Sequence, residues 1–431
     1  VRKIFEINLL KKNESLILSK VVSEKERKVG IEVEGLYYDK KLKRLPVNPT
    51  NEYSSIDLFN DIKKSVPSKC PFSYSLEPGG QIEWASGPSI SLWDIYNQFN
   101  EHIEIENKIC QSNEINRLYL SLEPLLEPAD IDLIKMNKYK LMDQVFENSG
   151  NMGRWMMRNT TSIQINIDYT SELDANLMGY IADSIQPFFS ILFSNSPFIK
   201  GEPVKQKNMR WLIWENTDPE RCRSLFNHKI YKPNNIVKDY AKWIQNVPAI
   251  FSANHSNTEN FNGSLGEMIL SHKDSLNNNI LSALHQSFTN VRYKTVLEIR
   301  SGDRPLRGQE LAPVAFIVGL LTAENTRHTL FEIINNWSKK DREKLISTAY
   351  NLSFKNIGPQ GKSVGDWLEI LSDLSLKGLD ERSSFFKIKN ERKLLESTLT
   401  NLLKNGPNTI QLQKQFVESG LSFNSFLLDL T

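Results

Sequence analysis

The chain has 431 residues, 39% of them hydrophobic and 24% charged, which is enough apolar mass for a sizeable core and excludes a globally disordered chain. Lysine and arginine number 53 against 51 aspartates and glutamates, a net charge of +2; this balance carries no electrostatic footprint for nucleic acid or an anionic membrane. Cys70, Cys110 and Cys222 are widely spaced and form no CxxC pair, which excludes a disulfide framework and a thiolate zinc site.

The opening Val1-Arg-Lys-Ile-Phe-Glu6 has no apolar h-region, and apolar runs such as Ala312–Leu321 are too short for a bilayer. A reduced, cytoplasmic chain is expected. Four segments then alternate so that one face is apolar and the other polar, the period of a β-strand. In Val29–Glu34, Val29, Ile31 and Val33 oppose Glu32 and Glu34. In Phe72–Glu77, Phe72, Tyr74 and Leu76 oppose Ser73, Ser75 and Glu77; after a Pro78-Gly79-Gly80 turn, Gln81 and Glu83 oppose Ile82 and Trp84. In Ser162–Asp168, three isoleucines oppose Gln164, Asn166 and Asp168. In Arg292–Arg300, read as one strand, Tyr293, Leu297 and Ile299 oppose Arg292, Lys294, Glu298 and Arg300.

Beyond Glu310 the pattern is helical, over 312–322, 327–337, 340–351, 364–375 and 391–403; in the fourth, Trp367, Leu368, Ile370, Leu371 and Leu374 share a face. The expected division is a catalytic body, 1–310, with a helical extension, 311–431, packed on it. Gly358-Pro-Gln-Gly-Lys-Ser363 ends like a P-loop, but the first glycine of GxxxxGK falls at Asn356.

An amphipathic strand commonly has one face in the core and the other in solvent. Here the polar faces carry glutamate, glutamine, asparagine and arginine. If the strands pair, five carboxylates meet two or three guanidinium or ammonium groups on one surface. Like charge at that density is unfavourable unless a multivalent cation sits among it. Carboxylates and amides without histidine or cysteine are oxygen ligands, suited to Mg²⁺ or Mn²⁺ rather than zinc.

Six stretches, in order, match the motifs of one group of proteins. Gly30-Ile-Glu-Val-Glu34 is similar to their first strand, Gly-x-Glu-x-Glu. Tyr74-Ser-Leu-Glu-Pro-Gly-Gly-Gln-Ile-Glu83 resembles their Ser-Leu-Glu-Pro-Gly-Gly-Gln-Phe-Glu. Met156-Met157 with Gln164-Ile-Asn-Ile-Asp-Tyr169 resembles Met-Met…Gln-Val-Asn-Leu-Asp-Phe, and Phe193-Ser-Asn-Ser-Pro-Phe198 resembles Phe-Ala-Asn-Ser-Pro-Phe. Arg210, Ile213-Trp214, Thr217-Asp218 and Arg221 follow Arg-Ser-x-Ile-Trp-x-x-Thr-Asp-x-x-Arg. Val291-Arg292 and Leu297-Glu298-Ile299-Arg300 follow Val-Arg-Leu-Lys-x-x-x-Glu-Met-Arg. Taken together, the six stretches resemble the plant-type glutamate–cysteine ligases. Departures lie at Trp84-Ala-Ser-Gly87 and at Arg158-Asn-Thr160, where a basic residue is displaced by one position.

The resemblance implies an α+β, glutamine-synthetase-like fold: a curved, mostly antiparallel sheet forming a funnel, helices outside, and the site on the polar concave face. It implies ATP-dependent joining of the L-glutamate γ-carboxylate to the L-cysteine amine through γ-glutamyl phosphate, the first step of glutathione synthesis. The alternative is a related γ-glutamyl ligase with another amine acceptor or thiol pathway. Glu32, Glu34, Glu77, Glu83 and Glu298 match the family's metal ligands and imply two or three Mg²⁺ ions. Arg300 is the candidate for stabilising the transferring phosphoryl group, and Arg292 for phosphate or a substrate carboxylate; salt bridges to neighbouring glutamates are the plainer role for both. Arg210, Trp214 and Arg221 match the amino-acid pocket. Gln164 and Asn166 offer amides to metal or substrate, and Thr160 and Thr161 offer hydroxyls. The plant disulfide switch has no matching cysteine pair, and no plastid leader is visible, as in a bacterial version. The expected protein is a monomer or homodimer with no nucleic-acid or membrane partner.

Overall fold

The computed structural model describes residues 2–254, 257–271 and 275–431. Eleven strands are β1 (Val29–Asp39), β2 (Ser73–Leu76), β3 (Ile82–Ala85), β4 (Ile115–Leu118), β5 (Ser162–Ile167), β6 (Phe198–Ile199), β7 (Glu202–Pro203), β8 (Phe251–Asn254), β9 (Asn257–Asn260), β10 (Val291–Tyr293) and β11 (Leu297–Asp303). The main sheet runs β10-β11-β5-β1-β3-β2, with β4 on the far half of β1; β6–β7 and β8–β9 are separate hairpins. The pairings along this sheet are antiparallel, and helices supply the rest of this α+β fold.

β1 is the hub. It meets β5 over Val29–Val33, β3 over Glu32–Gly35 and β4 over Leu36–Asp39. This register sets Glu34 opposite Glu83, and Glu32 opposite Gln164. Because side chains alternate along a strand, the same register puts Val29, Ile31 and Val33 on the buried face with Ile163, Ile165 and Ile167.

The Arg292–Arg300 stretch departs from expectation. It is a hairpin of two strands, turned at Lys294, whose N–H donates to the Val296 carbonyl at 3.0 Å. Neither glycine nor proline marks the turn, and β-forming residues run through it, so local alternation resembles one continuous strand. The fold-back sets Arg292 directly opposite Glu298. A register shift between Ile299 and Gly302 then displaces Arg300 from regular pairing, as a β-bulge does when it re-aims a side chain.

The apolar sheet face packs against the helix Glu172–Leu192, and the helices Leu311–Thr322 and Val364–Phe386 pack on that helix and on each other. Gly319 and Gly378 lie where the last two of these touch; a methyl on Gly378 would run into the Gly319 carbonyl, so only glycine permits this approach. One apolar cluster continues from Val29 in β1 to Leu402. The texture change near residue 310 therefore marks no break in the core.

The helices observed after Leu311–Thr322 are Glu324–Asn335, Lys339–Thr348, Val364–Phe386 and Glu396–Asn405. Two more, Asn408–Ser419 and Phe423–Leu428, had not been anticipated. They gather Phe416, Phe423 and Phe426 around Phe198 with ring centroids 5.0 to 5.9 Å away. Ser363, the end of the P-loop-like stretch, caps the helix Val364–Phe386 by accepting the Asp366 N–H at 3.0 Å. Among the described residues no helix is long and apolar enough to cross a membrane.

Candidate active site

The polar face of the sheet lines a cavity of about 650 Å³. Four carboxylates from β1 and the β2–β3 hairpin (Glu32, Glu34, Glu77 and Glu83) stand among its walls, together with the cations Lys138, Arg210, Arg292, Lys294 and Arg300. Met142, Met156, Met157 and Phe251 add an apolar surface. The sequence therefore concentrates both signs of charge at one place despite its neutral total.

Each carboxylate is held differently. Glu34 accepts the Ser162 N–H at 2.8 Å and the Ser162 hydroxyl at 2.9 Å. Burial, then the Glu77 charge, push the Glu34 carboxyl up to about 7, against the opposing pull of Arg210. Glu83 accepts the Ser75 hydroxyl at 2.7 Å; burial, followed by the charges of Glu77, Glu32 and Glu34, raises it well above the usual carboxylate range. Glu77 is also raised, by burial first, with Lys138 opposing. Glu32 accepts the Asn166 amide at 3.0 Å.

Glu298 is in the opposite condition. It is fully buried and does not line the cavity. Lys294 reaches one oxygen at 2.7 Å, Arg300 the other at 3.2 Å, and Arg292 straddles both. Burial would raise its carboxyl, but Arg292, Lys294 and Arg300 hold it well below the usual range. As a metal ligand Glu298 would have to surrender one of these partners, so the expected set of five is divided four to one. Arg300 also donates to the Gln164 side-chain oxygen, which places Gln164 between the two groups.

A smaller recess shares Arg210, Trp214, Phe288 and Arg300 with the cavity and adds Trp211, Asn290 and Ser301. Five buried N–H donors here, Arg210 Nε, Trp211 Nε1, Trp214 Nε1, Asn290 Nδ2 and Arg300 Nε, have no hydrogen-bond partner. Both guanidiniums lie 5.7 Å from the Trp214 ring. Unpaired buried donors are costly; the recess itself, at about 10 Å³, is the size of one water, so a larger acceptor such as a carboxylate would meet these donors only from the adjoining cavity.

Besides Glu298, three expected site residues lie off the cavity wall. Arg221 is buried, binds Asp218 at 2.7 Å and the Gln286 carbonyl at 3.3 Å, and lines neither cavity nor recess. Thr161 spends its hydroxyl on the Leu120 carbonyl at 2.8 Å. Asn166 faces an adjoining groove with Glu32, Asp168, Lys20 and Lys28. Thr160 does line the cavity, though its hydroxyl donates to the Met156 carbonyl at 2.7 Å. The displaced basic residue Arg158 is turned outward, onto Asp143 at 2.8 Å and the Pro128 carbonyl at 2.9 Å.

Other cavity residues had been given no role. Gln81 and Lys294 were visible as polar positions in alternating strands, but Lys138 and His285 belong to segments with no such signal. His285 is pushed down to about 3, by burial first and then by Arg292 and Lys294, so its imidazole is neutral. All three cysteines are free, and burial drives the Cys110 thiol up to about 12.

Among the described residues no three histidine, cysteine, aspartate or glutamate side chains converge tightly enough to coordinate an ion unaided. The donor chemistry nevertheless fits a hard divalent cation: four carboxylates share one cavity, and burial with repulsion between neighbouring carboxylates opposes the ionisation of Glu34, Glu77 and Glu83. A cation among them would relieve both effects.

Residues 28–358 match the family model described as glutamate–cysteine ligase family 2. The chain is 27% identical over 323 residues to chloroplastic glutamate–cysteine ligase A of Oryza sativa subsp. indica, covering 72% of this chain and 64% of that one. It is 28% identical over 283 residues to the chloroplastic enzyme of Arabidopsis thaliana, covering 63% and 53%. It thus spans less than two thirds of these relatives. Its structure resembles the Francisella tularensis glutamate–cysteine ligase in complex with AMP, with a TM-score of 0.59 and 12% identity over 94% of this chain and 87% of that one. It also resembles a bifunctional glutathione synthetase from Pasteurella multocida, with a TM-score of 0.52 and 14% identity over 97% and 52%.

The sheet and helices therefore have the fold of a solved glutamate–cysteine ligase. The chain belongs to glutamate–cysteine ligase family 2.

Proposed function

We propose that the protein joins the γ-carboxylate of L-glutamate to the amine of L-cysteine with conversion of ATP to ADP and phosphate. The observation that carries this reading is the meeting, in one cavity, of a carboxylate wall with arginines beside a recess of unpaired donors. A carboxylate and an ammonium form a salt rather than an amide at neutral pH, so the carboxylate first needs a leaving group. Its oxygen attacks the γ-phosphorus of ATP and ADP departs; the neutral cysteine amine then attacks the acyl carbon, loses a proton, and phosphate leaves. Both steps bring anions together, and fixed positive charge lowers that barrier.

In this reading Arg210, Trp211, Trp214 and Asn290 direct their free donors to the glutamate α-carboxylate. Arg300, less enclosed than Arg292, faces the transferring phosphoryl group, and the Glu298 cage fixes both guanidiniums. Met142, Met156 and Met157 provide a polarisable surface suited to a thiol side chain. Glu32, Glu34, Glu77 and Glu83 hold Mg²⁺, or Mn²⁺, which when bound supplies charge neutralisation for the triphosphate. The free cysteines accord with a reducing, cytoplasmic setting.

The test is ADP release by the purified chain. Release that needs Mg²⁺, glutamate and cysteine together is expected. Failure of cysteine to stimulate release would overturn the reading, and stimulation by another amine alone would reassign the acceptor.

A further inference from the structure

Glu77 opens the connection between β2 and β3, residues 77–81, and Glu83 is the second residue of β3 beyond it. Their charges oppose one another, and such repulsion favours spreading of the hairpin tip. Inside the connection, the Gly80 N–H donates to the Glu77 carbonyl at 2.9 Å and the Glu77 N–H to the Gln81 carbonyl at 2.9 Å. The Gln81 side chain, 2% exposed, accepts the Gly79 N–H at 2.9 Å and donates to the Thr160 carbonyl at 2.9 Å. These bonds tie the turn to itself and to β5's approach.

A further tie comes from outside the cavity. Arg44, 8% exposed and absent from the cavity wall, donates to the Gly79 carbonyl at 2.8 Å and to the Arg158 carbonyl at 3.0 Å. Both of those bonds come from Nη2; the other terminal nitrogen, Nη1, binds Glu123 at 3.0 Å. Glu123 is fully buried, accepts the Leu125 N–H at 3.0 Å, and is bound by the Tyr38 hydroxyl. One guanidinium therefore joins the turn between Glu77 and Glu83 to the segment that continues into Thr160 and into Ser162, the partner of Glu34. The fit is close: a Cβ on Gly79 would lie 2.7 Å from the Arg158 Cα.

We propose that Arg44 is a positioning residue for the cation-binding carboxylates, setting the distance between the Glu77–Glu83 turn and the Glu34 side of the cavity. The inference rests on the ligase reading, which places divalent cations on these glutamates. A planar fork suits two carbonyls and a carboxylate at once, and an ammonium does not reproduce it.

The experiment is titration of the full chain with Mn²⁺, following loss of the free-ion electron paramagnetic resonance signal, in wild type, Glu77→Gln, Gly79→Ala and the double variant Arg44→Met/Glu123→Gln. The double variant avoids stranding a buried carboxylate, and Gly79→Ala disturbs the same turn from its other side should that variant not fold. Wild type is expected to bind Mn²⁺ and Glu77→Gln to bind it poorly, with a loss of about 10-fold or more in both clamp variants, typical for residues behind metal ligands. At saturating Mg²⁺ the KM for glutamate, which reads the recess at Trp211 and Asn290 and not the Glu77–Glu83 turn, should move by less than about threefold. A folded clamp variant with wild-type Mn²⁺ affinity overturns the proposal, as does an equal loss in Mn²⁺ affinity and glutamate KM. A wild type that binds no Mn²⁺, or a Glu77→Gln variant that binds it unchanged, instead overturns the metal reading beneath it.

Discussion

Glu83 and Glu298 are carboxylates on one sheet, the first partly buried on the cavity wall and the second fully buried, and their surroundings drive them in opposite directions. Around Glu298 the β10–β11 hairpin brings Arg292, Lys294 and Arg300 within reach, and the carboxyl ionises easily. Around Glu83 the neighbours are Glu77, Glu32 and Glu34, and ionisation is opposed. Burying an ion costs several kcal/mol unless a partner offsets it. The β10–β11 side contains its own offset, whereas on the β1–β3 side the proposed Mg²⁺ would supply it. One half of the surface is thus a finished ion cage that holds arginines still, and the other is an incomplete one.

The largest effect that tests this contrast is catalytic. Glu83→Gln and Arg300→Ala should each lower kcat by about 10³-fold, the scale for losing a group that stabilises transition-state charge, measured by coupled ADP release. Stability should then divide the two sides. Glu298→Gln leaves buried cations short of their anion and should cost about 3–5 kcal/mol in urea unfolding, while Glu83→Gln should leave the metal-free chain unchanged or more stable. Equal destabilisation by both would break the comparison.

The pH dependence of the metal-free chain is the next discriminator. Glu34 has a folded value near 7 against an ordinary 4.5, so the unfolded chain loses this proton first. Its contribution therefore turns unfavourable as pH rises from about 4.5 to 7, by about 3 kcal/mol in all. Glu298 has the reverse sign: its contribution is present above the ordinary carboxylate value and disappears as pH falls through its depressed one. Urea unfolding at a series of pH values, with Glu34→Gln flattening the fall toward neutrality, checks this. A smaller gain comes from the cation itself: Mg²⁺ at about 100 times its Kd should add about 2.7 kcal/mol, seen as a rise in Tm that Glu77→Gln abolishes. Smallest of all, Thr161→Val should cost about 1 kcal/mol of stability through its lost hydrogen bond with glutamate KM unchanged.

Much of the site was legible because a strand's period of two sorts side chains by face without reference to any partner. Glu32, Glu34, Glu77, Glu83, Gln164 and Arg300 were placed on the polar face that way and all line the cavity, and the motif order agreed with the family that the chain matches. Arg221 and Thr161 were misplaced because a motif records neighbours in the chain, and their side chains turn to Asp218 and the Leu120 carbonyl instead of the cavity. Lys138 and Arg44 could not be found from pattern: neither lies in an alternating strand, and each gains its position through contacts distant in sequence.

By itself, then, the sequence determined which residues share a face and which chemistry those faces carry, since both follow from local backbone geometry and side-chain type. Only the tertiary structure decided how the charges are shared. The turn at Lys294 set Arg292 against Glu298, and β1's register set Glu34 against Glu83. The ionisation of a buried carboxylate depends on which charges stand within a few ångströms of it, and that is a property of packing across the chain.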